Sequence, residues 1–449
     1  MNNTAEKIKD YSIDLAMELR TISRLELELD APELFDEICA RCVNNRLLSD
    51  IGSKAKKFTA QELLNSYFEC NFDERSSIRL LTIFLLWETS KCSVRSVKSA
   101  KCLNAAFWLY EKCGSSLSVS QKKSLLELIE YCAENYISLP NTRLRSTLHD
   151  SISQNLVCDR DLSVTFLFVD GPVARSYLYC LKSLGIEPKH LIEVVFSNDI
   201  HSQKEIGEFL PTGLRLHMCK YLNQERITHW PKKLLNLYGD ALDDLYERFK
   251  KENSILNFSS HTNKNLYYGA PQGTKLASTR VLVKDINDIG LIDILNKSGN
   301  DVILFSGGGI ISKESLQKIK NPILHIHPGY LPNVRGADGL IWSKLLYGKA
   351  AASGILLKPG IDTGEIVFQK QLENFDLDGI LNKISKSHRY NFLYSFVDPL
   401  VRVDILSNIL SLPNFGLPNL VEQNDLAGAE TFNFVATKLR DKLLLNFTN

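Results

Sequence analysis

No stretch of this 449-residue chain is apolar for long. The longest such run, residues 80–87, is interrupted by Thr82 and falls far short of the ~20 residues that cross a bilayer. The first residues, MNNTAEKIKDYS, contain no apolar signal core, so a cytoplasmic location is expected and no membrane partner. Charge of one sign is lacking too: 53 Lys plus Arg stand against 52 Asp plus Glu. No global field therefore draws nucleic acid to the molecule, and a phosphate-driven tRNA substrate is disfavoured. Cysteine is absent after position 219. Cys39 and Cys42 form a CxxC, but no second CxxC or CxxH completes a zinc site. With Leu34, Phe35 and Ile38 the pair traces one apolar helical stripe, the pattern of small buried residues in a reducing compartment.

What is present divides the chain into three parts, read here as 1–155, 156–370 and 371–449. The first has few Gly or Pro and no alternating pattern, and predicts helix throughout. Thr59-x-x-Glu62 and Ser118-x-x-Gln121 are capping-box starts. No repeat of fixed period and no recognisable chemistry appear there, so a helical domain for recognition or oligomerisation is the expectation. The texture changes at Leu162. "LSVTFLFVDGP", "LIEVVFSND", "TRVLVKD", "DVILFSGGGII" and "PILHIH" read as buried strands, with "VARSYLYCLKSLG" and "IGLIDILNKSG" as helices between them. That alternation predicts an α/β domain with a parallel, doubly wound, Rossmann-like sheet, whose ligands lie outside the carboxyl ends of the strands. After residue 370 the chain turns helical again, as a C-terminal extension.

Two elements fall at such strand ends. Gly307-Gly308-Gly309 lets backbone approach a flat ligand closely, but it is neither GxGxxG nor a Walker loop. A tight structural turn explains it as well. In "LHIHPGYLPNVRG" a strand places His325 and His327 on one face, and Pro328 leaves both imidazoles at its carboxyl end. A metal would need a third ligand. His217, His229 and His261 are available, none at a characteristic spacing. A core histidine explains either residue alone better than both together. Further on, "GILLKPGIDTGEIVFQK" gives a strand through Ile355, Leu356 and Leu357, a Pro359-Gly360 turn, and Asp362 in a tight Asp-Thr-Gly. A carboxylate held by a turn can orient an imidazole and favour its protonated form, making it a general acid.

The run "IHPGYLPNVRGADGLIWSKLLYGKAAASGILLKPGIDTGEIV" resembles the signature of the folate-dependent formyltransferases: His-Pro, Leu-Pro, Arg-Gly, a Gly-bounded strand and Asp-x-Gly. That family includes glycinamide ribonucleotide transformylase, methionyl-tRNA formyltransferase and the nucleotide-sugar N-formyltransferases. The resemblance runs from about Val164 to Lys370. It implies transfer of a formyl group from 10-formyltetrahydrofolate to a primary amine, with no metal. His327 matches the family's active-site histidine and Asp362 its aspartate, whereas His325 stands where the family has asparagine. The backbone of Gly308, Gly309, Ile310 and Ile311, with that of Gly360 and Ile361, is implied as the pterin site. Arg335 and the 329–339 loop would shape the mouth of the amine site. His327 is then expected as oxyanion donor and general acid, oriented by Asp362, with His325 as a second donor. The even charge points to the amine of a small metabolite, an aminosugar nucleotide or an amino acid derivative. The chain could also be oligomeric. Competing readings are a formylfolate hydrolase, an enzyme using another one-carbon donor, and a non-catalytic folate-binding regulator.

Overall fold

The computed structural model describes residues 92–142, 163–253, 255–268, 279–299, 302–307, 309–373 and 375–446 apart from 376, 378 and 424–428, with scattered positions between 78 and 89. The CxxC at 39–42 and the capping box at Thr59 lie outside the described residues. The chain falls into two compact units.

The smaller unit holds the helices Val97–Cys113 and Val119–Ile137, turned by the short Gly114–Ser116 helix. The sequence starts the second helix as expected. The Ser118 hydroxyl accepts from the Gln121 N–H, and the Gln121 side chain returns to the Ser118 N–H. Thr437–Asn446 packs on both helices, so this last helix joins the same unit. Asn104 fastens the segment before it, donating to the Phe434 carbonyl (3.1 Å) and accepting from the Ala436 N–H (2.8 Å).

The larger unit is built on a seven-stranded sheet: β1 Val164–Val169, β2 His190–Phe196, β3 Thr279–Val283, β4 Val302–Phe305, β5 Ile323–His327, β6 Ala351–Leu356 and β7 Glu365–Gln371. Their order is β3-β2-β1-β4-β5-β6-β7. The first five are parallel, as continuous apolar runs such as VTFLFV and VILF require when both faces are covered. The purely parallel sheet expected from the sequence is corrected at β6 and β7, which are antiparallel. The reason is where the chain re-enters. His327 pairs with Ser353 and Leu324 with Leu356, so β6 starts beside the end of β5 and runs back along it. β7 has a mixed burial pattern, which is why it does not read as a buried strand.

The strand order reverses between β1 and β4, which opens a crevice above their carboxyl ends. One charge inside the sheet is neutralised locally. Glu193 of β2 is 2% exposed and meets Lys220 Nζ at 2.8 Å and Arg280 Nε at 2.6 Å. The Asp398–Ser411 helix lies on β6, so closely that a Cβ on Gly354 would meet Ile409 Cδ1 at 2.2 Å.

Candidate active site

β4 and β5 carry the site because both end in residues that cannot continue a strand. After Phe305, the ring of that residue and Val169 leave no room for a Cβ at Gly307. Gly308 lies outside the described residues. Gly309 has φ +109°, a conformation open to glycine, and nothing stands within 4 Å of where its Cβ would be. Ile310 is 70% exposed and Ile311 is buried in the sheet core. Asn287 fixes this turn by accepting from the Ser312 N–H (2.7 Å) and donating to the Ile310 carbonyl (3.2 Å).

β5 ends in the two histidines, and the following loop is pinned beneath them. Ser353 of β6 donates to the Gly329 carbonyl (2.8 Å) and accepts from the Leu331 N–H (3.1 Å). The Leu331–Pro332 peptide is cis. His327 is buried. Its Nε2 donates to the Val334 carbonyl at 2.8 Å, and its Nδ1 stands 3.3 Å from Asp362 Oδ2. Both ring nitrogens therefore face oxygen acceptors. Glycines make the space for this ring, since a Cβ on Gly329 would meet Nε2 at 2.6 Å and one on Gly339 would meet it at 3.1 Å.

Asp362 sits in the turn between β6 and β7 with φ +50°, where aspartate is tolerated better than most residues. Its Oδ2 accepts from the Gly336 N–H at 2.8 Å. Burial pushes the carboxyl up, but the His327 imidazole, the Gly336 N–H, His325 and Arg402 outweigh it and hold the group below the usual carboxylate range.

His325 is half-buried, and its Nδ1 is inaccessible without a hydrogen-bond partner in the described residues. Burial pushes this imidazole down to about 3. Arg402 and His327 act in the same direction, while Asp362 and the Phe305 backbone oppose them. His325 is thus a neutral ring at physiological pH. The unfolded chain takes up a proton here between about pH 6.5 and 3 that the folded chain refuses, so stability falls as pH falls through that window. His325→Asn removes this term, and its melting temperature should decline less steeply than the wild type's between about pH 7 and 4. Parallel melting curves for the two proteins would contradict the neutral assignment.

The structure thus brings His325, His327 and Asp362 together. Arg335 is held by a residue that the sequence did not single out: its Nε and Nη2 donate to Gln423 Oε1 at 3.0 and 2.6 Å. The Gln423 amide also donates to the carbonyls of Asp362 (2.9 Å) and Gly364 (2.6 Å), so one buried side chain ties Arg335 to the Asp362 turn. Gly360 in that turn has φ +123°. Ile361 is half-buried beside it. Arg402 was missed as well, being one arginine in a helix without a motif. No three metal-ligating side chains gather among the described residues.

No protein-family profile matches the chain. Among curated proteins, the methionyl-tRNA formyltransferase of Finegoldia magna is 29% identical over 135 residues, 28% of this chain and 44% of that protein. The chain thus matches less than half the length of this relative. Among solved structures, a sugar N-formyltransferase from Shewanella sp. FDAARGOS_354 superposes with a TM-score of 0.33 at 14% identity, covering 64% of this chain and 87% of that one. A formyltransferase from Anoxybacillus kamchatkensis, in complex with UDP-4,6-dideoxy-4-formamido-L-AltNAc and tetrahydrofolate, gives 0.26 at 19% identity over 38% and 88% of the two chains. These proteins carry the name of the family that the sequence motif resembles.

Proposed function

We propose that the chain is an N-formyltransferase that moves a formyl group from 10-formyltetrahydrofolate to a primary amine of a small metabolite. The observation that carries this reading is the meeting of His325, His327 and Asp362 at the end of β5, beside the glycine turn that ends β4. A flat ring system suits that turn: Gly309 offers bare backbone with open space above it, and Ile310 exposes apolar surface next to it.

The folate donor supplies an electrophilic formyl carbon attached to nitrogen. Attack by a neutral amine puts negative charge on the formyl oxygen, and a donor already aimed at that oxygen is worth more than one that must reorganise. His325, an uncharged ring at the carboxyl end of β5, suits such a donor. The amine proton must leave and the departing nitrogen must gain one. His327 is placed to carry it, because a proton at Nδ1 faces the Asp362 carboxylate. To reach substrate the ring gives up one of its two protein contacts, as catalytic hydrogen bonds often rearrange in the bound complex.

Near-even charge supports a small acceptor, but it does not exclude nucleic acid, and the name of the Finegoldia relative carries a tRNA. The test is to mix the protein with 10-formyltetrahydrofolate and a panel of amines that includes aminosugar nucleotides, amino acid derivatives and methionyl-tRNA. Deformylated folate should appear only when an acceptor is present. Product without amine would identify a hydrolase instead. A non-reactive antifolate should also raise the melting temperature by mass action. If a large excess leaves it unmoved, the folate assignment is wrong.

A further inference from the structure

The helical run through Arg389–Phe392, Leu393–Val397 and Asp398–Ser411 carries Tyr390, Tyr394, Asp398 and Arg402 at intervals of four, hence along one face. Each makes a polar contact. Tyr390 Oη donates to Asp338 Oδ1 at 3.0 Å, and Tyr394 Oη donates to the same oxygen. Arg402 Nε donates to Asp398 Oδ2 at 2.8 Å, and its Nη1 donates to the Ile326 carbonyl at 2.5 Å. One end of this row touches β5 and the other touches the segment that follows it. Ile326 is the residue between the two histidines. Asp338, buried and at φ +53°, precedes the Gly339 that packs against His327.

An ion pair is a costly way to hold a helix on a sheet. Desolvating Arg402 and Asp398 costs several kcal/mol per ion before they attract one another. Asp398 Oδ1 and the nearby Tyr177 hydroxyl are moreover buried without hydrogen-bond partners in the described residues. An apolar pair of similar volume would pack the same interface at less cost. What it could not do is fix the orientation of one chosen peptide or place a permanent charge near His325.

We propose that Arg402 is a positioning residue for formyl transfer, holding the peptide between His325 and His327 and so the direction in which His325 presents its ring. Its fixed charge adds to burial in disfavouring protonation of His325. This rests on the formyltransferase reading above. The groups that face His325 are Arg402 from the helix, Asp362 from the β6–β7 turn, His327 from its own strand and the Phe305 backbone of β4. Arg402 and Asp362 are both ionised over the working range and act on His325 in opposite directions.

The test uses the full chain with Arg402→Lys and with the double variant Asp398→Asn/Arg402→Gln, which removes both charges and avoids a lone buried carboxylate. Histidine ring signals are followed by NMR against pH, with His325→Asn assigning the His325 resonance. In the double variant the His325 midpoint should rise by about one unit or more. Arg402→Lys keeps the charge and should leave the midpoint near the wild-type value. Both variants lose the guanidinium that spans Asp398 and the Ile326 carbonyl, so kcat should fall about 10–100-fold with KM for donor and amine changed far less, as misplacement of reacting groups costs elsewhere. A folded double variant with an unmoved His325 midpoint, or with unchanged kcat, overturns the proposal. The titration is read without substrate. Lack of formyl transfer by the wild type would therefore sink the reaction reading, while the midpoint would still decide whether Arg402 sets the charge of His325.

Discussion

His327→Asn should lower turnover by about 10²–10⁴, the range that a lost acid–base group costs, while the fold survives. Asparagine can place its amide where Nδ1 faces Asp362, but it does not reach the Val334 carbonyl and cannot carry a proton to substrate. His325 should behave differently. His325→Asn keeps a hydrogen-bond donor at that place and should stay within about tenfold of wild type, near 1.4 kcal/mol in barrier. His325→Ala removes the donor and should cost about 10²–10³. Because burial and Arg402 keep the ring neutral, the acid limb of the pH–rate profile should be the same in wild type and His325→Asn. The measurement is kcat and kcat/KM for the three variants with the acceptor that the amine panel identifies. A folded His325→Asn as inactive as His327→Asn would mean that His325 performs chemistry an amide cannot.

The second large effect is expected from a single methyl group. Gly329→Ala puts a carbon where His327 Nε2 lies 2.6 Å away and the Val334 oxygen 2.7 Å away. Real Cβ atoms do not come so close, so either the imidazole or the carbonyl must move, and the contact that aims the ring is lost. Activity should fall by about 10²-fold, the scale of a misplacement near 1 Å. Stability should fall by only about 1–3 kcal/mol, the usual cost of overpacking. Gly213→Ala is the matched control, since a Cβ there meets nothing within 4 Å in a helix. Activity and thermal unfolding are measured together. If Gly329→Ala loses stability but keeps full turnover, His327 does not need its Val334 contact.

The parts of this molecule that could be read from sequence are those whose physics is local. "LSVTFLFVDGP" and "PILHIH" are predominantly apolar and run into strand-breaking residues, so β1 and β5 read as buried strands, and Ser118-x-x-Gln121 read as a helix start. His325, His327 and Asp362 stood out because punctuating residues, Pro328 and the Asp-Thr-Gly turn, set them at chain reversals. What could not be read depends on contacts between distant segments. The antiparallel course of β6 and β7 depends on where the chain re-enters the sheet, which no periodicity encodes. Arg402 and Gln423 are single polar residues without neighbours of a recognisable kind, and each meets the site from a remote part of the sequence. Val334 and Gly336 contribute only a carbonyl and an N–H, which every residue but proline has.

The Gln423 clamp bears on the order in which the protein is made. All seven strands have been synthesised once Gln371 is added, and His325, His327 and Asp362 precede that point. Gln423, which ties Arg335 to the Asp362 turn, follows only after the whole Asp398–Ser411 helix. At about 5–20 residues per second the ribosome delivers it several seconds later. A nascent chain halted just short of Gln423 would hold His325, His327, Asp362 and the complete seven-stranded sheet, yet lack the side chain that joins the Asp362 turn to Arg335. Closure of the Arg335–Asp362 link would then arrive as a late event in synthesis, distinct from formation of the sheet.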